Sequence, residues 1–412
     1  MTKIYHSLLL ASCLSIYIGC AKVEFNDIPC EGDACPKVTP EGQVQTGTKD
    51  GGKKAVDILF VVDNSGSMST EQNAIANRFS TFIQTMDSQG LDYRIGVITT
   101  DVSASPNNVP RAINGNGALQ DGKLIVFGNG NSFLTNQVSD RVAQFAATIK
   151  RQETLTCEAY LNTNPTNNSA YDANCPASDE RGIYAANLFL TNQSGSFVRP
   201  EAHFAVVFLA DEDVRSKAYD SATSLKARLA QEDLPQTLIS RIQALGQGKS
   251  HSVHSIIVKP GALTSGLTAQ AAADRIATSF AGAGNGAASN QPSVLMPGGD
   301  STCLNTQNSQ MNNVKGSYGY LYALATRMTS GIEGDICAAD YGSQLSNIGF
   351  NITAQINDIE LGCPRPEIVS IEFTPGTGSP SWSLEGSKIK FASVLPPNMV
   401  VKYAWKCLAA NP

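Results

Sequence analysis

The chain has 412 residues, long enough for one large domain or two smaller ones, and only 16% of them are charged. A formal net charge of −6 argues against a phosphate-backbone binder, which carries a basic patch. No run of about 18 or more apolar residues lies beyond the first twenty positions, so no internal transmembrane helix is expected.

The N-terminus concerns address. Residues 1–19 carry Lys3, an apolar run through Leu8, Leu9, Leu10, Leu14, Ile16 and Ile18, and then Gly19 before Cys20. That is the layout of a secretory signal and is set aside from the fold. A small residue before a cysteine at the end of such a run resembles a bacterial lipoprotein signal, which implies cleavage before Cys20 and lipidation there. Cys13, behind Leu10, Ala11 and Ser12, competes for that role, as does a signal cleaved near Cys20 without a lipid. Parity favours Cys20: of the 10 cysteines, removing Cys13 with the signal and Cys20 to the lipid leaves an even set of eight. Ala21 and Lys22 offer no aspartate resembling an inner-membrane retention signal, so the analogy points to the outer membrane.

Residues 20–54 are rich in Pro, Gly, Thr and Lys and read as a flexible tether with a small Cys30–Cys35 loop. From Val56 to Val62 the chain turns almost continuously apolar, the pattern of a strand buried on both faces. Arg94–Thr99, Lys123–Phe127, Phe204–Ala210 and Ser252–Val258 repeat it. Between them, helical spacing aligns Ile75, Phe79, Phe82, Ile83 and Met86, then Leu238, Ile242 and Leu245. Further on it aligns Leu321, Leu324, Ala325 and Met328, and finally Leu345, Ile348, Ile352, Ile356 and Ile359. Buried strands alternating with amphipathic helices over residues 55–361 predict an α/β fold with an open, mostly parallel sheet covered on both faces. Residues 152–178 and 280–316 read as surface insertions, each pinned by a disulfide, Cys157–Cys175 and Cys303–Cys337. Residues 363–412 change to a period of two, which predicts a small antiparallel β module closed by Cys363–Cys407.

The chemistry concentrates where the first strand ends, at Asp63, Asn64, Ser65, Gly66, Ser67 and Met68. In an open α/β sheet, ligands bind at the carboxyl ends of strands where the order reverses. Asp63, Ser65 and Ser67 present three hard oxygen donors, which suit Mg²⁺ first, or Mn²⁺ or Ca²⁺. The positive helix N-terminus repels a cation, so a second carboxylate is needed. Asp211, after the Phe204–Ala210 strand, supplies it. Ser69, Thr70, Glu71 and Gln72 offer a capping box of their own, which leaves the earlier serines free.

At these residues the chain resembles a von Willebrand factor A domain, whose metal-ion-dependent adhesion site opens with Asp-x-Ser-x-Ser after a hydrophobic strand. The resemblance covers roughly residues 55–361, with Tyr93–Thr99 as second strand and Asp211 as the third-element aspartate. It implies strand order 3-2-1-4-5-6, with the first and fourth strands flanking the switch point; this favours Asp211 over Asp101. Where the family has a threonine, before a helix that begins near Gly182, this chain has Ser178, Asp179 and Glu180; Ser178 would keep a hydroxyl and the other two would put a carboxylate in its place. The resemblance implies that Ser65 and Ser67 bind the metal directly. An open coordination position would take an acidic residue of a protein or cell-surface ligand.

Other readings are weaker. A phosphatase of the haloacid dehalogenase type needs a second acid two residues after Asp63, and Ser65 stands there. His251 and His254 have ligand-like spacing but lead into a strand, where they point to opposite faces. The expectation is an exported, non-enzymatic, lipid-anchored binding protein; the alternative is an envelope scaffold in which the metal only stabilises the loop.

Overall fold

The computed structural model describes residues 42–408 apart from 52–53, 104–119, 165–169, 177–179, 215–228, 247–248, 282–289, 311–315, 364, 377, 394 and 397. The signal, Cys20, the Cys30–Cys35 loop, Ser178 and Asp179 therefore lie outside the described residues.

The main body is a six-stranded sheet: β2 (Ala55–Val62), β3 (Asp92–Thr99), β4 (Leu134–Thr135), β5 (His203–Ala210), β6 (His251–Ile257) and β7 (Glu333–Asp335). Its order is β4-β3-β2-β5-β6-β7, parallel except where β4 pairs antiparallel with β3. Every residue of β2, β5 and β6 is buried; β2 and β5 are apolar but for Asp57 and His203, while β6 also buries His251, Ser252, His254 and Ser255.

Alternation along each strand assigns side chains to two cores. Val56, Ile58, Phe60 and Val62 of β2 face α1 (Ser69–Ser88), α2 (Arg141–Ile149) and α12 (Tyr341–Gln355). There Phe60, Phe79, Phe82 and Phe145 pack edge-to-face and stacked. Leu59 and Val61 face the other layer, α5 (Gly182–Asn192), α6 (Ser194–Phe197), α7 (Pro235–Ala244), α8 (Ala269–Ala281) and α11 (Tyr320–Met328).

Several sequence expectations need correction. Lys123–Phe127 forms no strand: it makes one ladder-like bond, Ile125 N–H to the Val97 carbonyl at 2.9 Å, before a turn in which Gly130 N–H bonds Phe127 O. The edge is supplied instead by the short β4. The last helical stripe stops at Gln355, and Ile359 belongs to β8 (Ile359–Glu360). Residues 152–178 contain α3 (Gln152–Thr163) and α4 (Tyr171–Asn174). Residues 280–316 contain α9 (Pro292–Leu295) and α10 (Ser301–Gln310). In both stretches the disulfide cysteines themselves are buried.

The tether also ends earlier than expected. β1 (Gln45–Asp50) pairs with β12 (Val400–Cys407), which pairs with β9 (Pro366–Thr374). The second small sheet joins β10 (Trp382–Glu385), β11 (Lys388–Phe391) and β8. Gly47 makes β1 fit: a Cβ there would lie 2.3 Å from the Tyr403 ring. The module's core is Ile359, Leu361, Ile389, Leu395, Met399, Val401, Tyr403 and Trp405. Cys363–Cys407, Cys157–Cys175 and Cys303–Cys337 are all formed, which fits an oxidising compartment. Among the described residues, no helix is long and apolar enough to cross a membrane.

The amino ends of β5 and β6 are joined by a buried relay. Ile332 N–H donates to His254 Nδ1 at 3.0 Å, so His254 Nε2 carries the proton and donates to Ser252 Oγ at 2.8 Å. Ser252 in turn donates to His203 Nε2 at 2.8 Å, leaving His203 Nδ1 to donate to Ser250 Oγ at 2.7 Å. Ser250 ends the relay on the Gln355 carbonyl at 2.9 Å. His251 is engaged separately, with Nδ1 3.0 Å from the Lys249 carbonyl. His251 and His254 thus have different partners, as strand alternation requires.

Candidate metal centre

The Asp63 loop sits at the carboxyl end of β2, between β3 and β5. Asp63 N–H bonds the Leu209 carbonyl at 2.9 Å, and Thr100 N–H bonds the Val62 carbonyl at 3.1 Å, so both neighbouring strands hold the loop. Asp63 Oδ1 accepts the Ser65 N–H at 2.8 Å, and the Ser65 and Ser67 hydroxyls lie 3.0 Å apart. A short 3₁₀ turn, Gly66–Met68, then leads into α1. The loop thereby brings one carboxylate and two hydroxyls into one buried corner.

Asp211 follows directly on β5 and is 1% exposed, and neither carboxylate oxygen makes a well-aligned hydrogen bond. The Ser67 hydroxyl nevertheless lies close enough to favour its ionised form. Asp63 Oδ2 is likewise buried without a hydrogen-bond partner. Burial first, then repulsion by Asp63 and Glu71, pushes the Asp211 carboxyl well above its ordinary range. Burial, Glu180 and Asp101 do the same to Asp63, against the hydrogen bonds from Ser65. Buried carboxylate oxygens short of donors, next to the paired Ser65 and Ser67 hydroxyls, fit a hard divalent cation: it would compensate the charge and satisfy the lone pairs.

Asp101, at the end of β3, is the carboxylate set aside in the sequence reading. It is buried and accepts the Thr99 hydroxyl, and its carboxyl is pushed up to about 6, chiefly by burial. It is therefore satisfied where Asp211 is not. Asp213 is also committed, accepting the Leu321 N–H at the start of α11 at 3.0 Å.

Three features of the surroundings were not foreseen. The expected capping box is not made: Ser69 to Gln72 lie inside α1, whose N-cap position is Met68. Glu71 instead reaches toward Asp211 and accepts Gln307 Nε2 at 3.0 Å, while Gln72 Nε2 bonds the Asp63 carbonyl at 2.9 Å. Second, α3 covers the loop. Thr154 Oγ1 bonds the Asn64 carbonyl at 2.8 Å, and a Cβ on Gly66 would lie 2.9 Å from Cys157 Sγ. Glycine is required there by the close approach of the Cys157–Cys175 bridge. Third, Cys303–Cys337 anchors α10, which carries Gln307 to Glu71. Nothing in the local pattern around Gln72, Thr154 or Gln307 signals these long-range roles.

Glu180 is 5% exposed and precedes α5. Arg181 N–H bonds the Thr100 carbonyl at 3.2 Å, which seats this segment beside the end of β3. Cys303, Asp335 and Cys337 also cluster tightly, but both cysteines are in the disulfide.

No protein-family model matches the chain, and no curated protein matches it. Among solved structures it is similar to the pilus adhesin SpaC of Lactobacillus rhamnosus GG, at 11% identity and TM-score 0.29, over 90% of this chain and 41% of that one. The pilus adhesin RrgA of Streptococcus pneumoniae matches at 11% identity and TM-score 0.24, over 90% and 58%. A human COPII-coat protein matches at 8% identity and TM-score 0.30, over 89% and 42%. The chain thus spans less than half of the SpaC chain. At these values the likenesses carry no argument about function.

Proposed function

We propose that this chain is an exported, non-enzymatic binding protein of the von Willebrand factor A type. In this reading Asp63, Ser65, Ser67 and Asp211 hold a divalent cation, Mg²⁺ first, with Mn²⁺ or Ca²⁺ as alternatives, that bridges to a protein or cell-surface ligand. The observation that carries the reading is Asp211, 1% exposed with both carboxylate oxygens lacking a hydrogen-bond partner beside the Asp63 loop. The order β4-β3-β2-β5-β6-β7 supports it, because the loop and Asp211 then lie on adjacent central strands where the order reverses. The three described histidines are engaged in the relay or on the Lys249 carbonyl and are not offered to the Asp63 loop as a base.

The bound cation would supply charge compensation and an open coordination position. The chain's own residues orient it: Ser65 N–H and the adjacent strands fix Asp63, and α3 covers the loop. Lipidation at Cys20 would hold the protein at the outer membrane, with residues 21–44 as the tether. The test is retention of envelope or surface components on the immobilised protein, with Mg²⁺ and with EDTA. Retention with Mg²⁺ that is lost with EDTA and in Asp63→Ala supports the reading. A cation that raises the melting temperature while nothing is retained assigns the site to stability alone.

A further inference from the structure

The Asp63 loop is held from α1 and α3 as well as from its own strands. Gln72 of α1 is 1% exposed. Arg151 N–H, which can only donate, fixes Gln72 Oε1 as its acceptor at 3.0 Å. Gln72 Nε2 therefore faces two oxygens, the Asp63 carbonyl and Thr154 Oγ1, both at 2.9 Å. The Thr154 hydroxyl, fully buried, donates its own proton to the Asn64 carbonyl at 2.8 Å. The peptides on either side of Asn64 are thus both bonded by one connected set of side chains. Asn64 Nδ2 adds a further tie, to Glu153 Oε1 at 3.2 Å.

Thr154, Cys157 and Leu161 have the i, i+3, i+7 spacing of one helix face, and all three are buried. That face lies on the loop: a Cβ on Gly66 would meet Cys157 Sγ at 2.9 Å and Leu161 Cδ1 at 3.1 Å. The Cys157–Cys175 bridge fastens α3 to the end of α4.

We propose that α3 preorganises the cation loop and that Thr154 is its positioning residue. This rests on the cation reading above. The backbone at Asn64 sets the direction of Ser65, whose hydroxyl lies 3.0 Å from that of Ser67. A loop free to rotate there would have to be ordered by the cation, at the expense of affinity; a loop already held does not. The Thr154 hydroxyl touches no cation donor atom and acts only through the Asn64 carbonyl and Gln72. Partners that orient metal ligands in this way change metal affinity about 10–100-fold when removed.

The test is a Mn²⁺ titration followed by electron paramagnetic resonance on the purified full chain, with thermal unfolding in EDTA alongside. Thr154→Val keeps the shape and removes the hydroxyl; it is expected to weaken Mn²⁺ binding about 10–100-fold and to broaden the bound-ion spectrum. Thr154→Ser, which keeps the hydroxyl, restores most of the affinity. If Thr154→Val does not fold, the pair Cys157→Ala and Cys175→Ala takes its place, because it loosens α3 and leaves every loop residue intact; Mn²⁺ binding falls in the same direction. A folded Thr154→Val or cysteine-pair variant that binds Mn²⁺ as tightly as wild type overturns the inference and leaves the cation site standing, as does Thr154→Ser binding no better than Thr154→Val. Wild type that binds no Mn²⁺ overturns both.

Discussion

Replacing Asp211 by asparagine is expected to act in opposite directions with and without a cation. Without one, a buried carboxylate lacking donors sits against Asp63 and Glu71, a cost that the amide largely removes. Leaving a buried polar group unsatisfied costs about 1–3 kcal/mol, and more when it is charged. Asn at this position is therefore expected to raise stability in EDTA by about 1–2 kcal/mol, allowing for an amide that is itself incompletely partnered. With a cation at about 100 times its dissociation constant, wild type gains about 2.7 kcal/mol. For a domain this large that is roughly 5 °C in Tm. Asp211→Asn should show almost none of that gain. Thermal unfolding of both proteins in EDTA, Mg²⁺, Mn²⁺ and Ca²⁺ makes the check. A variant that melts several degrees lower than wild type in EDTA would refute the reasoning, because it would mean that the Asp211 carboxylate is satisfied within the protein.

Other consequences follow from the same packing. His203 and His254 are held well below their ordinary range by burial, His254 to about 3, and His251 falls to about 4. The charged groups acting on His203 from neighbouring elements are His251, His254, Lys388 and Lys49, all opposing protonation. Because the unfolded chain binds these protons first, stability is full above pH about 6.5 and falls toward pH 4, by up to about 1.4 kcal/mol per pH unit for each histidine. Denaturant midpoints from pH 7 to 4.5 test this, and His254→Gln should flatten the decline. Gly66→Ala should destabilise by about 1–3 kcal/mol and weaken cation binding, because its Cβ meets Cys157 Sγ and the Glu158 backbone. Urea unfolding and a Mn²⁺ titration read both effects. Arg181→Met takes the bidentate guanidinium from buried Asp233, which keeps the Ala230 N–H, and should cost about 3–5 kcal/mol, measured by the same urea transition.

Where structure is set by local pattern, the sequence is readable. The nearly all-apolar β2 followed by Asp63, Ser65 and Ser67 announces a loop at a strand end, and Asp211 repeats the arrangement on β5. Three of the expected cysteine pairs are formed, since each closes a segment bounded by changes of pattern. What escaped depends on distant partners. Gln45–Asp50 has no apolar alternation and becomes a strand only because β12 offers an unpaired edge and Gly47 admits the Tyr403 ring. Glu71 and Gln72 match a capping box by spacing, yet the 3₁₀ turn starts the helix earlier and turns both side chains to tertiary partners. Lys123–Phe127 has the composition of a buried strand but only one ladder bond, so composition alone misplaced the sheet edge.

On the proposed reading, the Asp63 loop and Asp211 form one divalent-cation site. Its most direct test is a Mn²⁺ titration followed by electron paramagnetic resonance on wild type, Asp63→Ala and Asp211→Ala. One Mn²⁺ per chain is expected in wild type, displaced by Mg²⁺ or Ca²⁺ and lost in both variants. An absence of stoichiometric binding in wild type, or binding that survives both substitutions, would contradict it.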